Sequence, residues 1–320
     1  MVKCTHFYAK GTNFFMKIVV TDGHSTNPGD LSWDVLKEFG ELEVYAHPKI
    51  SFEETLARIG DADCVFHSKV DITREVLDRC PNLKFIGVMA TGYDNLDLEA
   101  AKEKGIAVYY TPAYSTDAVS QHAIALLLAI TNKVYENNEL SKEGKWVNRS
   151  GFDYGWAPVT LLDGKSIGIV GYGNIGKRVA KIAKALGMKV NIFSRDKEKA
   201  IKSDVVTLHC PANDDTYHMV NWDFISQMKD GAILINTARG ALVDEAALKK
   251  ALISGKISAC GLDVLEEEPP MDDQLIGLPN CYITPHVAWI PKDTRQKIID
   301  IAYDNLKAFL KGRDNGNRLV

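Results

Sequence analysis

The chain has 320 residues, 46% of them hydrophobic and 25% charged, and its formal net charge is -4. This length predicts two domains, and a mild negative charge without any basic block argues against nucleic acid as a partner. Because no segment approaches the roughly 20 apolar residues of a membrane span and the cysteines include no C-x-x-C pair, we predict a cytoplasmic protein without membrane contact or metal site.

From residue 17 onwards, short apolar segments alternate with amphipathic ones, which predicts an α/β fold with a parallel sheet covered on both faces. The predicted strands cover residues 17–21, 41–45, 64–67, 85–89 and 107–110. The predicted helices between them cover residues 32–39, 52–59, 74–80 and 98–104. Together these elements form one small open α/β unit.

A long helix is predicted from about residue 116 to residue 133, with Ser115 or Thr116 as its N-cap. Its length and its apolar faces predict burial between domains or between subunits. After an irregular excursion over residues 141–162, a second α/β series runs from 166 to about 285. The last predicted helix, 291–311, returns to the first domain.

The second series begins with a glycine-rich turn between an apolar strand and a helix predicted at 177–186. Gly171 allows a tight turn, Gly173 lets backbone N–H groups approach a pyrophosphate, and Gly176 lets the helix pack on the strand. The helix N-terminus adds partial positive charge. This context favours a dinucleotide site that includes Asn174 and Ile175, against the alternative of a glycine turn without a ligand.

Eighteen residues beyond Gly176 stand Ser194 and Arg195, where an NAD-binding protein usually has a carboxylate that accepts the ribose hydroxyl. A serine and an arginine there attract and hydrogen-bond the 2′-phosphate of NADP. We therefore predict NADP(H) as the preferred cofactor and NAD(H) as a possible one. The alternative is that both are solvated turn residues and that Asp196 binds the ribose.

Three later apolar strands each end near a charged or titratable residue: Arg239, Glu268 and His286. Open α/β sheets place their ligands at such strand ends. Taken singly, each residue has an ordinary surface or loop explanation. Together they suit hydride transfer to a 2-keto acid: the histidine donates a proton, the glutamate stabilises its imidazolium form, and the arginine binds the substrate carboxylate.

With these motifs in order, the chain resembles the D-isomer-specific 2-hydroxyacid dehydrogenases over nearly everything after residue 16. The resemblance implies two Rossmann-like domains with doubly wound parallel sheets. Residues 1–115 and 291–320 would form a discontinuous, flavodoxin-like substrate domain, and 116–290 the dinucleotide-binding domain. It also implies a homodimer formed through the region of helix 116–133.

The resemblance assigns catalysis to Arg239, Glu268 and His286, with Arg239 and His286 also contacting the substrate. Backbone N–H groups of a loop in the first domain would bind the substrate carboxylate, and this loop contains Ala90, Thr91 and Gly92. Further cofactor contacts are implied for Cys210, Pro211, Thr237 and Ala238, and for Asp263, which would contact the nicotinamide carboxamide.

Within the family the chain is most similar to glycerate dehydrogenases, also called hydroxypyruvate or glyoxylate reductases. It departs from the usual pattern at Ser194-Arg195 and in a short connection over residues 196–203, which takes the place of a strand and helix. A formate dehydrogenase is disfavoured because Glu268 stands where those enzymes have glutamine. A D-lactate-type enzyme, a phosphite dehydrogenase, a dinucleotide-sensing corepressor and a degenerate enzyme without cofactor remain alternatives.

Overall fold

The computed structural model describes residues 15–47, 51–147, 157–271 and 274–320. The chain forms two compact units, one from the segments up to Tyr114 and from Ile290 onwards, the other from Ser115 to Trp289. The assignment of one unit to the substrate and the other to the dinucleotide stays a prediction. Within the described residues, no helix has the length and apolar character needed to cross a membrane.

The first unit contains a five-stranded parallel sheet with the order β2-β1-β3-β4-β5, the arrangement of flavodoxin-like proteins. Its strands are β1 (Met16–Val20), β2 (Gly40–Val44), β3 (Cys64–His67), β4 (Phe85–Val88) and β5 (Ala107–Tyr109). Its first helices are α1 (Gly23–Thr26), α2 (Phe52–Ile59), α3 (Arg74–Arg79) and α4 (Leu98–Glu103), with a 3₁₀ helix at Asp34–Phe39.

The second unit begins with α5 (Thr116–Asn132) and α6 (Val134–Lys142) and builds a six-stranded parallel sheet with the order β11-β10-β9-β8-β6-β7. Its strands are β6 (Ser166–Val170), β7 (Lys189–Ile192), β8 (Val205–Leu208), β9 (Ala232–Asn236), β10 (Ile257–Leu262) and β11 (Cys281–Ile283). Its other helices are α7 (Asn174–Ala185), α8 (Lys197–Ile201), α9 (Trp222–Gln227) and α10 (Glu245–Ser254), with a 3₁₀ turn at Gly240–Leu242. Both sheets confirm the α/β fold with two Rossmann-like units.

The last helix, α11 (Lys292–Leu310), belongs to the first unit. Phe309 packs against Phe85 of β4 with 5.2 Å between the ring centroids. The guanidinium of Arg295, 9% exposed, binds both carboxylate oxygens of Asp30 at 2.7 and 2.8 Å. These contacts fix the helix to the sheet and to the loop after α1.

The crevice for a ligand in the second sheet is set by its strand order. β6 lies between β7 and β8, so the chain leaves β6 at the topological switch point, where open α/β sheets bind ligands. β7 is an edge strand, and only the five-residue helix α8 separates it from β8 along the chain. The short connection therefore holds a helix and no strand.

Several local predictions were wrong. The helix predicted at 32–39 is a shorter 3₁₀ helix, and α6 extends into the excursion predicted at 141–162, of which residues 148–156 lie outside the described ones. The predicted burial of α5 between domains or subunits stays a prediction; Leu126 and Ile130 lie in the core of the helix's own unit, close to Gly261 of β10. Helix α7 begins at Asn174, three residues before the predicted start, so Asn174, Ile175 and Gly176 form its first turn.

Candidate active site

The glycine turn, residues 171–176, joins β6 to α7 and brings their backbones into close contact. A Cβ on Gly171, which has a φ of 91°, would lie 2.4 Å from the backbone of His209, and one on Gly176 would lie 2.1 Å from the carbonyl oxygen of Gly171. Around Gly173, the N-cap of α7, a Cβ would meet nothing within 4 Å. The two outer glycines thus serve packing, whereas the middle one borders open space at a helix N-terminus, which fits the pyrophosphate of a dinucleotide.

Ser194 and Arg195 follow the edge strand β7 and are exposed. The guanidinium of Arg195 lies 5.6 Å from the ring centroid of Tyr172, a residue of the glycine turn. Asp196 caps α8 by accepting a hydrogen bond from the N–H of Lys199 at 3.0 Å. The cation therefore lies beside the turn, while the neighbouring carboxylate is engaged in capping a helix.

The other residues predicted to contact the cofactor lie on loops after β8 and β9. The backbone N of Cys210 borders Gly171, and Pro211 next to it is exposed. Thr237 is 7% exposed, and its hydroxyl is buried without a hydrogen-bond partner among the described residues. Ala238 donates its N–H to the side-chain oxygen of Asn236 at 3.0 Å. The unsatisfied hydroxyl of Thr237 is a polar atom that a bound molecule can satisfy.

Arg239 and Glu268 lie on loops that touch each other. Gly240 brings the first loop against the second so closely that a Cβ would lie 1.9 Å from the carbonyl carbon of Leu265. The main-chain oxygen of Arg239 accepts a hydrogen bond from the side chain of Asn236 at 2.8 Å. Because β9 and β10 are adjacent and parallel, both loops leave the same edge of the sheet.

Glu268 and His286 form a direct pair. Nδ1 of His286 lies 2.5 Å from Oε2 of Glu268, and Oε1 of Glu268 accepts a hydrogen bond from the N–H of Leu265 at 3.2 Å. The side chain of His286 is 27% exposed and that of Glu268 is 34% exposed, so solvent and small molecules reach them. Since Nδ1 donates to the carboxylate, Nε2 is the ring nitrogen that can act on a substrate.

Asp263, at the end of β10, has a carboxylate that is only 1% exposed and accepts several hydrogen bonds. The N–H groups of Val287 and Ala288 donate to its two oxygens, each at 2.9 Å, and the hydroxyl of Thr284 donates at 2.5 Å. Burial opposes ionisation, but hydrogen bonds from His122, Thr284 and the backbone outweigh it and lower the pKa of Asp263. The predicted contact with a nicotinamide stays a prediction.

Ala90, Thr91 and Gly92 lie in the first unit, directly beyond the carboxyl end of β4. The hydroxyl of Thr91 donates to the carbonyl of Thr111 at 3.1 Å, and the N–H of Thr111 donates to the carbonyl of Ala90 at 3.1 Å. These bonds tie the loop to the segment after β5 and give it a defined backbone.

Sequence reasoning missed His122, a partly buried residue of α5. Its Nε2 lies 2.9 Å from the hydroxyl of Thr284 and 3.3 Å from Oδ1 of Asp263. The signal was a lone histidine within an apolar helix. A single histidine of this kind has too many ordinary explanations to stand out without its partners.

Comparison with known proteins identifies the family. A family model described as "D-isomer specific 2-hydroxyacid dehydrogenase, NAD binding domain" matches residues 124–288, a segment that contains the glycine turn and the Glu268–His286 pair. The chain belongs to this family. Its NAD-binding segment therefore holds a nicotinamide dinucleotide, which the space around Gly173 fits.

Among the relatives of this D-2-hydroxyacid dehydrogenase is a "Hydroxypyruvate reductase" of Blautia hydrogenotrophica, 46% identical over 314 residues that cover 93% of this chain and 98% of the relative. A "Glycerate dehydrogenase" of Methylorubrum extorquens is 38% identical over 308 residues, covering 93% and 97%. A solved "Acyclic imino acid reductase (Bsp5) in complex with NADPH and D-Arg" is 31% identical, with a TM-score of 0.83 and coverage of 95% and 100%. All three match both units of the chain.

Proposed function

We propose that this D-2-hydroxyacid dehydrogenase reduces hydroxypyruvate or glyoxylate to D-glycerate or glycolate with NADPH. The observation that carries the proposal is the Glu268–His286 pair beside the loop of Arg239, on three adjacent parallel strands. The names of relatives support these compounds: a hydroxypyruvate reductase is 46% identical, and a glycerate dehydrogenase and a glyoxylate reductase are each 38% identical.

The chemistry divides between these three side chains. When bound, the reduced nicotinamide supplies a hydride to the carbonyl carbon of the keto acid. His286 donates the proton that converts the carbonyl oxygen into the hydroxyl group, and Glu268 holds the imidazole through Nδ1 so that Nε2 presents this proton. Arg239 binds the carboxylate through two parallel hydrogen bonds and polarises the carbonyl beside it.

NADPH is preferred in this proposal because of the residues after β7. Arg195 is an exposed cation beside Tyr172 of the glycine turn, and Ser194 adds a hydroxyl. A carboxylate here would repel a phosphate group, and the carboxylate of Asp196 already caps α8. Related structures contain NADPH in one case and NAD in another, so the choice rests on the residues after β7.

We also propose a cytoplasmic homodimer. The large apolar side chains Val134 and Tyr135, which are 68% and 72% exposed, follow directly after α5 and give this region a surface that a second copy can bury. Light scattering on the purified protein tests the dimer. A monomer mass at micromolar concentration would contradict it.

The activity is tested by the loss of reduced-nicotinamide absorbance with hydroxypyruvate, glyoxylate and pyruvate in separate assays. We expect oxidation of NADPH with the first two, and a preference for pyruvate would favour the D-lactate type instead. His286→Asn is expected to lower kcat by about 10² to 10⁴, the contribution of a general acid, without loss of NADPH binding. If NADPH binds but no keto acid is reduced, the dinucleotide-sensing alternative is correct. If no dinucleotide binds, the chain is a degenerate enzyme.

A further inference from the structure

The loop that carries His286 has an unusual backbone. His286 has a φ of 54°, in the left-handed region, which costs energy for a residue with a side chain and persists only where the surroundings hold it. Its N–H donates to the carbonyl of Asp263 at 2.8 Å, and the next two N–H groups, of Val287 and Ala288, donate to the carboxylate of Asp263. Three successive backbone N–H groups are thus anchored on one residue.

The anchoring carboxylate is itself held in place from the other side. The hydroxyl of Thr284 donates to Oδ1 of Asp263 at 2.5 Å. Because that proton points at the carboxylate, the oxygen of Thr284 accepts a hydrogen bond from Nε2–H of His122 at 2.9 Å, and Nε2 lies 3.3 Å from Oδ1 of Asp263. His122 is therefore the donor that closes this network.

His122 stands on a rigid support. It belongs to the 17-residue helix α5, whose neighbouring residues Ala123 and Leu126 are buried in the hydrophobic core of the unit. Leu126 and Ile130 on the same helix pack against Gly261, two residues before Asp263. The position of Nε2 relative to the end of β10 is consequently fixed by close packing and not by a flexible surface chain.

We propose that His122 is a positioning residue, which holds Asp263 together with Thr284 and so fixes the backbone of the loop that presents His286. This inference rests on the proposed role of His286 as proton donor. His122 itself touches the carboxylate and the hydroxyl, not the substrate. Removing the imidazole of His122 leaves Asp263 with one hydrogen-bond donor fewer. The left-handed backbone of His286 is then less constrained.

The test compares His122→Leu, which removes the donor but keeps a similar volume, with His122→Gln, whose amide N–H can reach the place of Nε2. His122→Leu should lower kcat with hydroxypyruvate about 10-fold to 100-fold, the cost of misplacing a catalytic group. NADPH affinity, measured by fluorescence, should fall less than kcat, because the glycine turn is untouched and only the predicted contact of Asp263 with the nicotinamide is disturbed. His122→Gln should restore most of kcat. The matched control is His24→Leu, at an exposed histidine of the other unit.

A second pair of variants covers the case in which His122→Leu does not fold. Thr284→Val removes the hydroxyl that links His122 to Asp263, whereas Thr284→Ser keeps it, so only the first should lower kcat. Wild-type kcat in both His122→Leu and Thr284→Val would overturn the positioning role. So would equal losses in His122→Leu and His122→Gln, because they would show that only packing matters. An inactive wild-type protein would instead overturn the proposed function, and this inference with it.

Discussion

Replacing each of two glycines in the turn after β6 by alanine separates the packing role of this turn from its ligand role. In Gly176→Ala the new Cβ would lie 2.1 Å from the carbonyl oxygen of Gly171, whereas real Cβ atoms essentially never approach closer than 3.0 Å. The contact is with backbone, so no side chain can rotate away, and α7 must move from the turn by about 0.9 Å. In Gly173→Ala the new methyl group meets nothing within 4 Å.

The expected effects on stability follow from these distances. Overpacking costs about 1–3 kcal/mol, and the better helix propensity of alanine returns up to about 1 kcal/mol, so Gly176→Ala should lose about 1–2 kcal/mol. In a domain of this size that is a fall in Tm of about 2–8 °C. Gly173→Ala changes only an N-cap and should lose about 1 kcal/mol or less.

NADPH binding should respond to Gly173 more than stability does. The methyl group of Gly173→Ala enters the space where we place the pyrophosphate, so the Kd should rise at least about tenfold, equivalent to about 1.4 kcal/mol. Circular dichroism gives Tm, and fluorescence titration gives Kd. Unchanged NADPH affinity in Gly173→Ala would refute the assignment of the turn. A Tm for Gly176→Ala equal to that of the wild type would refute the packing argument.

Three further changes test other parts of the site and fold. Ser194→Asp combined with Arg195→Ala should shift the kcat/KM ratio from NADPH towards NADH by about 100-fold, since it exchanges a cation for a carboxylate, and an unchanged ratio would contradict the 2′-phosphate site. Arg239→Lys should lower kcat/KM for the keto acid at least about tenfold through loss of bidentate binding, with NADPH affinity as the control. Burial raises the pKa of Asp204, but hydrogen bonds led by that from Lys229 outweigh it and leave the pKa below its ordinary 3.8. Its stabilisation is therefore complete above that pH and lost as the pH falls further, so the gap in Tm between wild type and Asp204→Asn should be present at neutral pH and close in acid.

Local sequence pattern determined most of the secondary structure. The predicted bounds of β3 and α2 agree with the structure to the residue. A short apolar run between polar turns marks the strand, and eight amphipathic residues after a serine N-cap mark the helix. The pattern failed for α6, which has no buried residue, so no apolar stripe marked it. It also placed the start of α7 three residues late, because glycines were assigned to the turn although Gly176 lies inside the helix.

The sequence also supplied the candidate residues of the site, since Arg239, Glu268 and His286 each follow an apolar strand and match motifs of the family. Their contacts came only from the tertiary structure. The pairing of Glu268 with His286 depends on β10 and β11 being neighbours, and the approach of Gly240 to Leu265 depends on β9 lying next to β10. Strand order is decided by which buried faces pack together, and local periodicity carries no information about it.

The hydrogen-bond network of His122, Thr284 and Asp263 shows most clearly what the sequence determines and what the tertiary structure decides. His122 and Thr284 are 162 residues apart, and nothing near either residue in the chain marks it as a partner of the other. Asp263 was assigned from the sequence to the cofactor, and only the fold revealed that its carboxylate anchors the backbone after His286. The sequence by itself determined the elements and the chemical groups available. The tertiary structure decided which groups meet, because hydrogen bonds between distant residues form only where close packing has already brought their elements together.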